Sequence, residues 1–298
     1  MGDPLQRWIA ANRAGDFDQA WQIAWESLEA RDPATRDDPS QPYHLRWVWD
    51  GRPFDGRDVL VRCYHGLGDT LQFARYLPAL ARRAASVTVE AQPRLLPLLS
   101  SIAAPLRLLP FDSAKPAPPA ECDLEITELD LALRLSPGEA PPPFLRADRA
   151  VLPAGTVALC YGAVEWDPER SIPPALLAPL CRAAPCITLV PEPCELEVLN
   201  PQGCPFDMAA TAALVNGADL IVTVDTMIAH LAGALGKPTW LLLKAEPDWR
   251  WPPAAHTTPW YPCMRLYIQR TAGDWNSVIA QVEADLLTRA HVAAEGCQ

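Results

Sequence analysis

Two short stretches of the chain bring chemically capable residues together at helix spacing. In Val224-Asp225-Thr226-Met227-Ile228-Ala229-His230, an acid and a hydroxyl close an apolar run, and a histidine follows Thr226 at i+4. That spacing places Thr226 and His230 on one helix face, so the hydroxyl, the imidazole and the first-turn amides could converge on a diphosphate. The structural alternative is equally open: Asp225 or Thr226 as a plain helix cap, and His230 as a satisfied, partly buried histidine. In His65-Gly66-Leu67-Gly68-Asp69, the glycines Gly66 and Gly68 allow a tight turn, and Asp69 stands where the next helix begins. An exposed carboxylate there can take a proton from an attacking hydroxyl, or merely cap the helix. Leu71 occupies the third glycine position of a G-x-G-x-x-G fingerprint, which disfavours a nicotinamide enzyme. Arg170, in Glu169-Arg170-Ser171, is a fixed cation able to neutralise a leaving diphosphate; taken alone, it reads more readily as a surface arginine pairing with Asp167 or Glu169.

Both stretches require a strand-turn-helix frame, and the pattern supplies one on each side of the chain's middle. Asp58–Cys63 reads as a buried strand, followed by a helical stripe of Leu71, Ala74, Leu77 and Ala81 that Pro78 must kink or end. Strands are expected at 87–90, 106–109 and 123–127. A second series opens at Val157–Cys160 and continues through a helix near 174–183, a strand at 186–190 and a helix near 208–216. Leu220–Val224, Met227–Leu235 and Thr239–Leu243 then read as a compact βαβ unit stopped by Gly236. Beyond it, Trp249, Trp251, Trp260 and Tyr261 lie in an aromatic loop, where most read as packing, and a last amphipathic helix spans about 274–289. The pattern predicts an α/β protein divided as 1–35 (a helical hairpin resembling one tetratricopeptide unit), 36–152 (a first Rossmann-like domain) and 153–298 (a second, whose last helix could cross back).

The bulk composition narrows the partners. The chain has 298 residues, 49% hydrophobic, with a formal net charge of −11, which argues against nucleic-acid or acidic-lipid binding through the overall field. Only three lysines occur, Lys115, Lys237 and Lys244, the last two flanking one predicted strand. The opening residues lack an apolar signal core and no window approaches a membrane span, so a cytoplasmic location without a transmembrane segment is expected. Nine irregularly spaced cysteines read as buried hydrophobes; Cys181, Cys186, Cys194 and Cys204 crowd one region but form no C-x-x-C pair, so no metal site is expected.

Taken in order, His65 to Pro78, Arg170-Ser171-Ile172-Pro173, Val224 to Pro238, Asp248-Trp249-Arg250-Trp251 and Trp260 to Arg265 resemble the tetratricopeptide-linked relatives of the bacterial ADP-heptose heptosyltransferases. One departure is Met227, where those enzymes usually carry glycine. The resemblance implies the GT-B fold, two Rossmann-like domains facing a cleft. It implies an inverting, metal-independent glycosyltransferase with no cofactor, using a nucleotide sugar such as ADP-heptose and an acceptor hydroxyl of unknown origin. By the same resemblance Asp69 is the catalytic base, and Arg170, Asp225, Thr226, Met227 and His230 bind the donor. Two alternatives stay open: a non-catalytic nucleotide-sugar-binding or assembly module, and a sugar-nucleotide epimerase or hydrolase.

Overall fold

The computed structural model describes residues 3–163 and 167–295; Met1, Gly2 and Cys297 lie outside them. The chain forms two compact units, Met1–Arg146 and Ala147–Gln298.

The first unit opens with the expected hairpin of α1 (Pro4–Ala14) and α2 (Phe17–Glu29). Gly15 joins them at φ 72°, a left-handed conformation that glycine adopts without strain, and the Asp16 side chain caps α2 by accepting from the Gln19 amide. Ala11, Ala20, Trp21 and Ile23 are buried. The strands β1 (Asp58–Arg62), β2 (Ser86–Ala91), β3 (Leu106–Pro110) and β4 (Cys122–Glu125) form a parallel sheet in the order β3-β2-β1-β4. Between β1 and β2, α3 (Leu67–Phe73) passes through a 3-10 turn into α4 (Leu77–Ala81), with Pro78 in the first turn of α4. Proline has no N–H to continue the ladder, and the helix divides where the sequence predicts. Two short helices absent from the sequence reading, α5 (Leu96–Leu99) and α6 (Leu129–Leu133), follow β2 and β4. The Trp21 indole donates to Asp130 Oδ2 at 3.1 Å, fastening the hairpin to α6.

In the second unit, β5 (Val157–Cys160), β6 (Cys186–Thr188), β7 (Leu220–Val224), β8 (Thr239–Leu243) and β9 (Met264–Ile268) form a parallel sheet ordered β6-β5-β7-β8-β9. Every residue of β5, β7 and β8 is buried, as expected for parallel strands covered on both faces. The helices α7 (Ala178–Ala183), α8 (Met208–Gly217) and α9 (Met227–Ala234) link the strands. The last helix, α10 (Trp275–Glu295), contributes Trp275, Val278, Ile279, Val282 and Leu286 to the core of this unit, together with Trp240 and Tyr267. No helix among the described residues is long and apolar enough to cross a membrane.

Candidate functional sites at the two switch points

In an open parallel sheet, ligands bind outside the carboxyl ends of the strands where the strand order reverses. The first unit reverses between β1 and β4, the second between β5 and β7. The loops leaving those strand ends carry the residues singled out from the sequence.

In the second unit, β7 ends at Val224 and delivers Asp225 and Thr226 to the head of α9. Thr226 is the N-cap, its hydroxyl accepting from the Ile228 amide at 3.1 Å, and Cys160 Sγ at the end of β5 lies 3.8 Å from the same oxygen. Arg170, in the 3-10 turn Pro168–Arg170 that follows β5, crosses the switch point. Its Nη1 is 3.3 Å from the Asp225 carbonyl oxygen and 3.4 Å from Asp225 Oδ2, and its Nε donates to Asp167 Oδ2 at 2.8 Å. The Arg170 side chain is only 14% exposed, so it is not the surface arginine that its local sequence suggested, although it does pair with Asp167. Burial pushes the Asp225 carboxyl above the usual range; Arg170 opposes the shift and Asp248 adds to it. Met227 is half-buried in the first turn of α9.

His230 is 5% exposed and faces aromatic partners, with Nδ1 3.1 Å from the Tyr261 hydroxyl and its ring stacked on Trp251 at 5.8 Å. Trp251, Trp260 and Tyr261 are fully buried, so these aromatic residues pack the loop. Trp249 remains half-buried, with the Arg250 guanidinium 4.3 Å above its ring.

In the first unit, Gly66 starts α3 at φ −67°, and Gly68 lies inside that helix, so neither needs a left-handed backbone. The value of Gly66 is space. A Cβ there would lie 3.3 Å from Asp69 Oδ2, which accepts from the Gly66 amide at 3.1 Å. Asp69 therefore does cap α3, while remaining half-buried at its head. Gln92 braces the turn, donating to the His65 carbonyl at 2.7 Å and accepting from the Thr70 hydroxyl at 3.1 Å.

The sequence reading missed Glu125, at the carboxyl end of β4. Its Oε1 accepts from the Tyr64 amide at 3.2 Å and lies 3.6 Å from His65 Nε2, and its Oε2 accepts from Ile126. Glu125 is 3% exposed. Burial, then Glu128 and Asp69, push its carboxyl well above the ordinary range. An acid ending a buried strand was its signal. Among the described residues, no three of the metal-ligating types gather in a group that could hold an ion.

Residues 203–260, from the loop before α8 to Trp260, match the family described as Glycosyltransferase family 9 (heptosyltransferase). The chain is 24% identical to Protein FlbA of Caulobacter vibrioides over 328 aligned residues, covering 93% of this chain and 53% of FlbA, so it spans about half the length of that curated relative. Among solved structures, it is similar to the glycosyl transferase family 9 protein of Veillonella parvula (TM-score 0.54, 14% identity, 80% of this chain and 99% of that one). ADP-heptose lps heptosyltransferase II of E. coli superposes with TM-score 0.51 at 15% identity, covering 78% of this chain and 99% of that one. The iron-containing dodecameric glycosyltransferase TibC of enterotoxigenic E. coli gives 0.55 at 12%, covering 76% of this chain and 66% of TibC. The chain thus has the GT-B fold of the glycosyltransferase family 9 structures, and it matches that family in sequence over the segment that carries Asp225, Thr226 and His230.

Proposed function

We propose that this chain is an inverting glycosyltransferase, with unit 2 binding a nucleotide-sugar donor and unit 1 supplying Asp69 as the base that activates an acceptor hydroxyl. The observation that carries the reading is Arg170, a largely buried cation brought from the end of β5 to within 3.3 Å of the carbonyl of Asp225, in a turn that lies inside the segment 203–260 matching glycosyltransferase family 9. A cation beside a helix N-terminus at a switch point is suited to a diphosphate.

In this reading the acceptor oxygen bonds to the anomeric carbon from the face opposite the diphosphate. The anomeric C–O bond breaks, its electron pair leaves on the diphosphate, and the hydroxyl proton passes to Asp69. Arg170, the Thr226 hydroxyl and the first-turn amides of α9 meet the charge on the leaving group. His230 holds the turn against Tyr261 and Trp251. ADP-heptose is the first donor to test, because TibC is known in complex with ADP-D-beta-D-heptose.

The test is a thermal-shift screen of nucleotide sugars, followed by transfer assays of wild type and Asp69→Asn. A donor is expected to raise the melting temperature of both proteins, and Asp69→Asn to lower kcat by about 10²–10⁴-fold. Transfer is expected to survive EDTA. A protein that binds no nucleotide sugar is not this enzyme, and wild-type transfer by Asp69→Asn removes Asp69 as the base.

A further inference from the structure

Arg170 is not the only cation at the second switch point. Lys244 follows β8 directly, and its Nζ lies 3.1 Å from Asp167 Oδ2, 3.2 Å from Asp167 Oδ1 and 3.2 Å from Glu169 Oε2. Asp167 Oδ2 also accepts from Arg170 Nε at 2.8 Å. One carboxylate oxygen is therefore shared by two cations that arrive from the ends of two different strands, and one of those cations touches the turn that starts α9.

We propose that Lys244 is a second phosphate-binding side chain of this unit, and that Asp167 is an internal anion that holds the phosphate position between Lys244 and Arg170 until a nucleoside diphosphate displaces it. The inference rests on the donor-binding reading given above.

Charge and access support the exchange. Among the described residues, three cations of these ion pairs, Arg170, Lys244 and Arg250, stand against four carboxylates, Asp167, Glu169, Asp225 and Asp248. With all four ionised these groups sum to a net negative charge, which works against adding a diphosphate while Asp167 keeps both of its cations. Arg250 is engaged with Asp248 Oδ1 at 2.8 Å and with the Trp249 ring. Glu169 is 78% exposed and its pairing is screened by water. Asp167 is the carboxylate whose departure releases the most: burial alone would raise its pKa, but hydrogen bonds from Lys244 and Arg170 outweigh that and hold it below the usual range. The Lys244 side chain is 23% exposed and that of Asp167 11%, so the pair is open to solvent.

The two roles predict effects of opposite sign. Calorimetric titration of the full chain with ADP, UDP, GDP and CDP identifies the tightest nucleoside diphosphate, and inorganic pyrophosphate serves as a base-free probe. Lys244→Met is expected to weaken both ligands about tenfold, and Asp167→Asn to tighten both about three- to tenfold. If Asp167→Asn does not fold, Asp167→Ser carries the same expectation. An ordinary structural salt bridge gives the reverse for Asp167, since losing it loosens the site. Unchanged affinity in Lys244→Met, or weaker binding in the Asp167 variant, overturns the inference while wild-type binding leaves the donor-site reading standing. A wild-type protein that binds none of these diphosphates overturns both.

Discussion

At Gly233 the backbone of α9 and the ring of Tyr261 meet so closely that a Cβ added there would lie 2.3 Å from Tyr261 Cδ1. That approach seats the Tyr261 hydroxyl 3.1 Å from His230 Nδ1. In an unconstrained helix, glycine to alanine stabilises by roughly 0.5–1 kcal/mol, because the unfolded chain loses freedom. Here the ring must move, and overpacking of this kind costs about 1–3 kcal/mol. Gly233→Ala should therefore lower the melting temperature instead of raising it, and should weaken nucleotide binding together with His230→Ala; a stabilised variant would show that the contact is not strained. Much of this was legible only in part. Ala229, Ala232, Gly233 and Ala234 announce a close approach to α9, but nothing local says that the approaching group is a tyrosine from the loop after β8. The same holds for Arg170 and Asp225, whose contact depends on β5 and β7 lying side by side. Local spacing cannot encode it.

Elements were read more surely than contacts, for a physical reason. β5, β7 and β8 coincide residue for residue with the apolar runs Val157–Cys160, Leu220–Val224 and Thr239–Leu243, because central parallel strands are buried on both faces and bounded by turn residues. β9 escaped because Met264-Arg265-Leu266 follows an aromatic segment that reads as loop. Arg265 interrupts its apolar run and pairs with Asp285 of α10 at 2.7 Å, a partner twenty residues later in the chain. Where an element begins has its own consequence at α9. Thr226 caps the helix through the Ile228 amide, and Thr226→Ala should cost about 1 kcal/mol of stability, while Thr226→Ser, which keeps the oxygen, should recover most of it. In chemical denaturation, equal midpoints for Thr226→Ala and Thr226→Ser would mean that the cap contributes nothing to the fold. If donor affinity follows the same order, the cap and the diphosphate site act through one oxygen.

Across the whole chain the net charge is −11, and three of the carboxylates with raised pKa values sit together around the β4–α6 corner: Glu125, Glu128 and Asp130. Burial lifts Glu128 to about 7 and Asp130 to about 6, against ordinary values of 4.5 and 3.8. These groups also fasten the hairpin, Glu128 to Arg31 at 3.4 Å and Asp130 to the Trp21 indole at 3.1 Å. A carboxyl with a raised folded pKa binds its proton more tightly in the folded state than in the unfolded chain. Its contribution is complete below about pH 4 and is lost as the pH climbs through about 6 to 7, where the folded protein must ionise groups that burial keeps neutral. Within that window stability should fall with rising pH, by on the order of 1–3 kcal/mol for the two groups together. General repulsion in an acidic chain acts in the same direction, and salt separates the two effects: 0.3 M NaCl screens exposed charges strongly and buried ones little. Scanning calorimetry from pH 5 to 8 in that salt should still show the decline. Asp130→Asn keeps an oxygen for the Trp21 indole and removes the titration, so its profile should be flatter than wild type over the same range. A wild-type stability that rises steadily from pH 5 to 8 would mean that these carboxyls ionise in the folded protein at least as readily as in the unfolded chain, and that Arg31 and the Trp21 indole hold them as carboxylates.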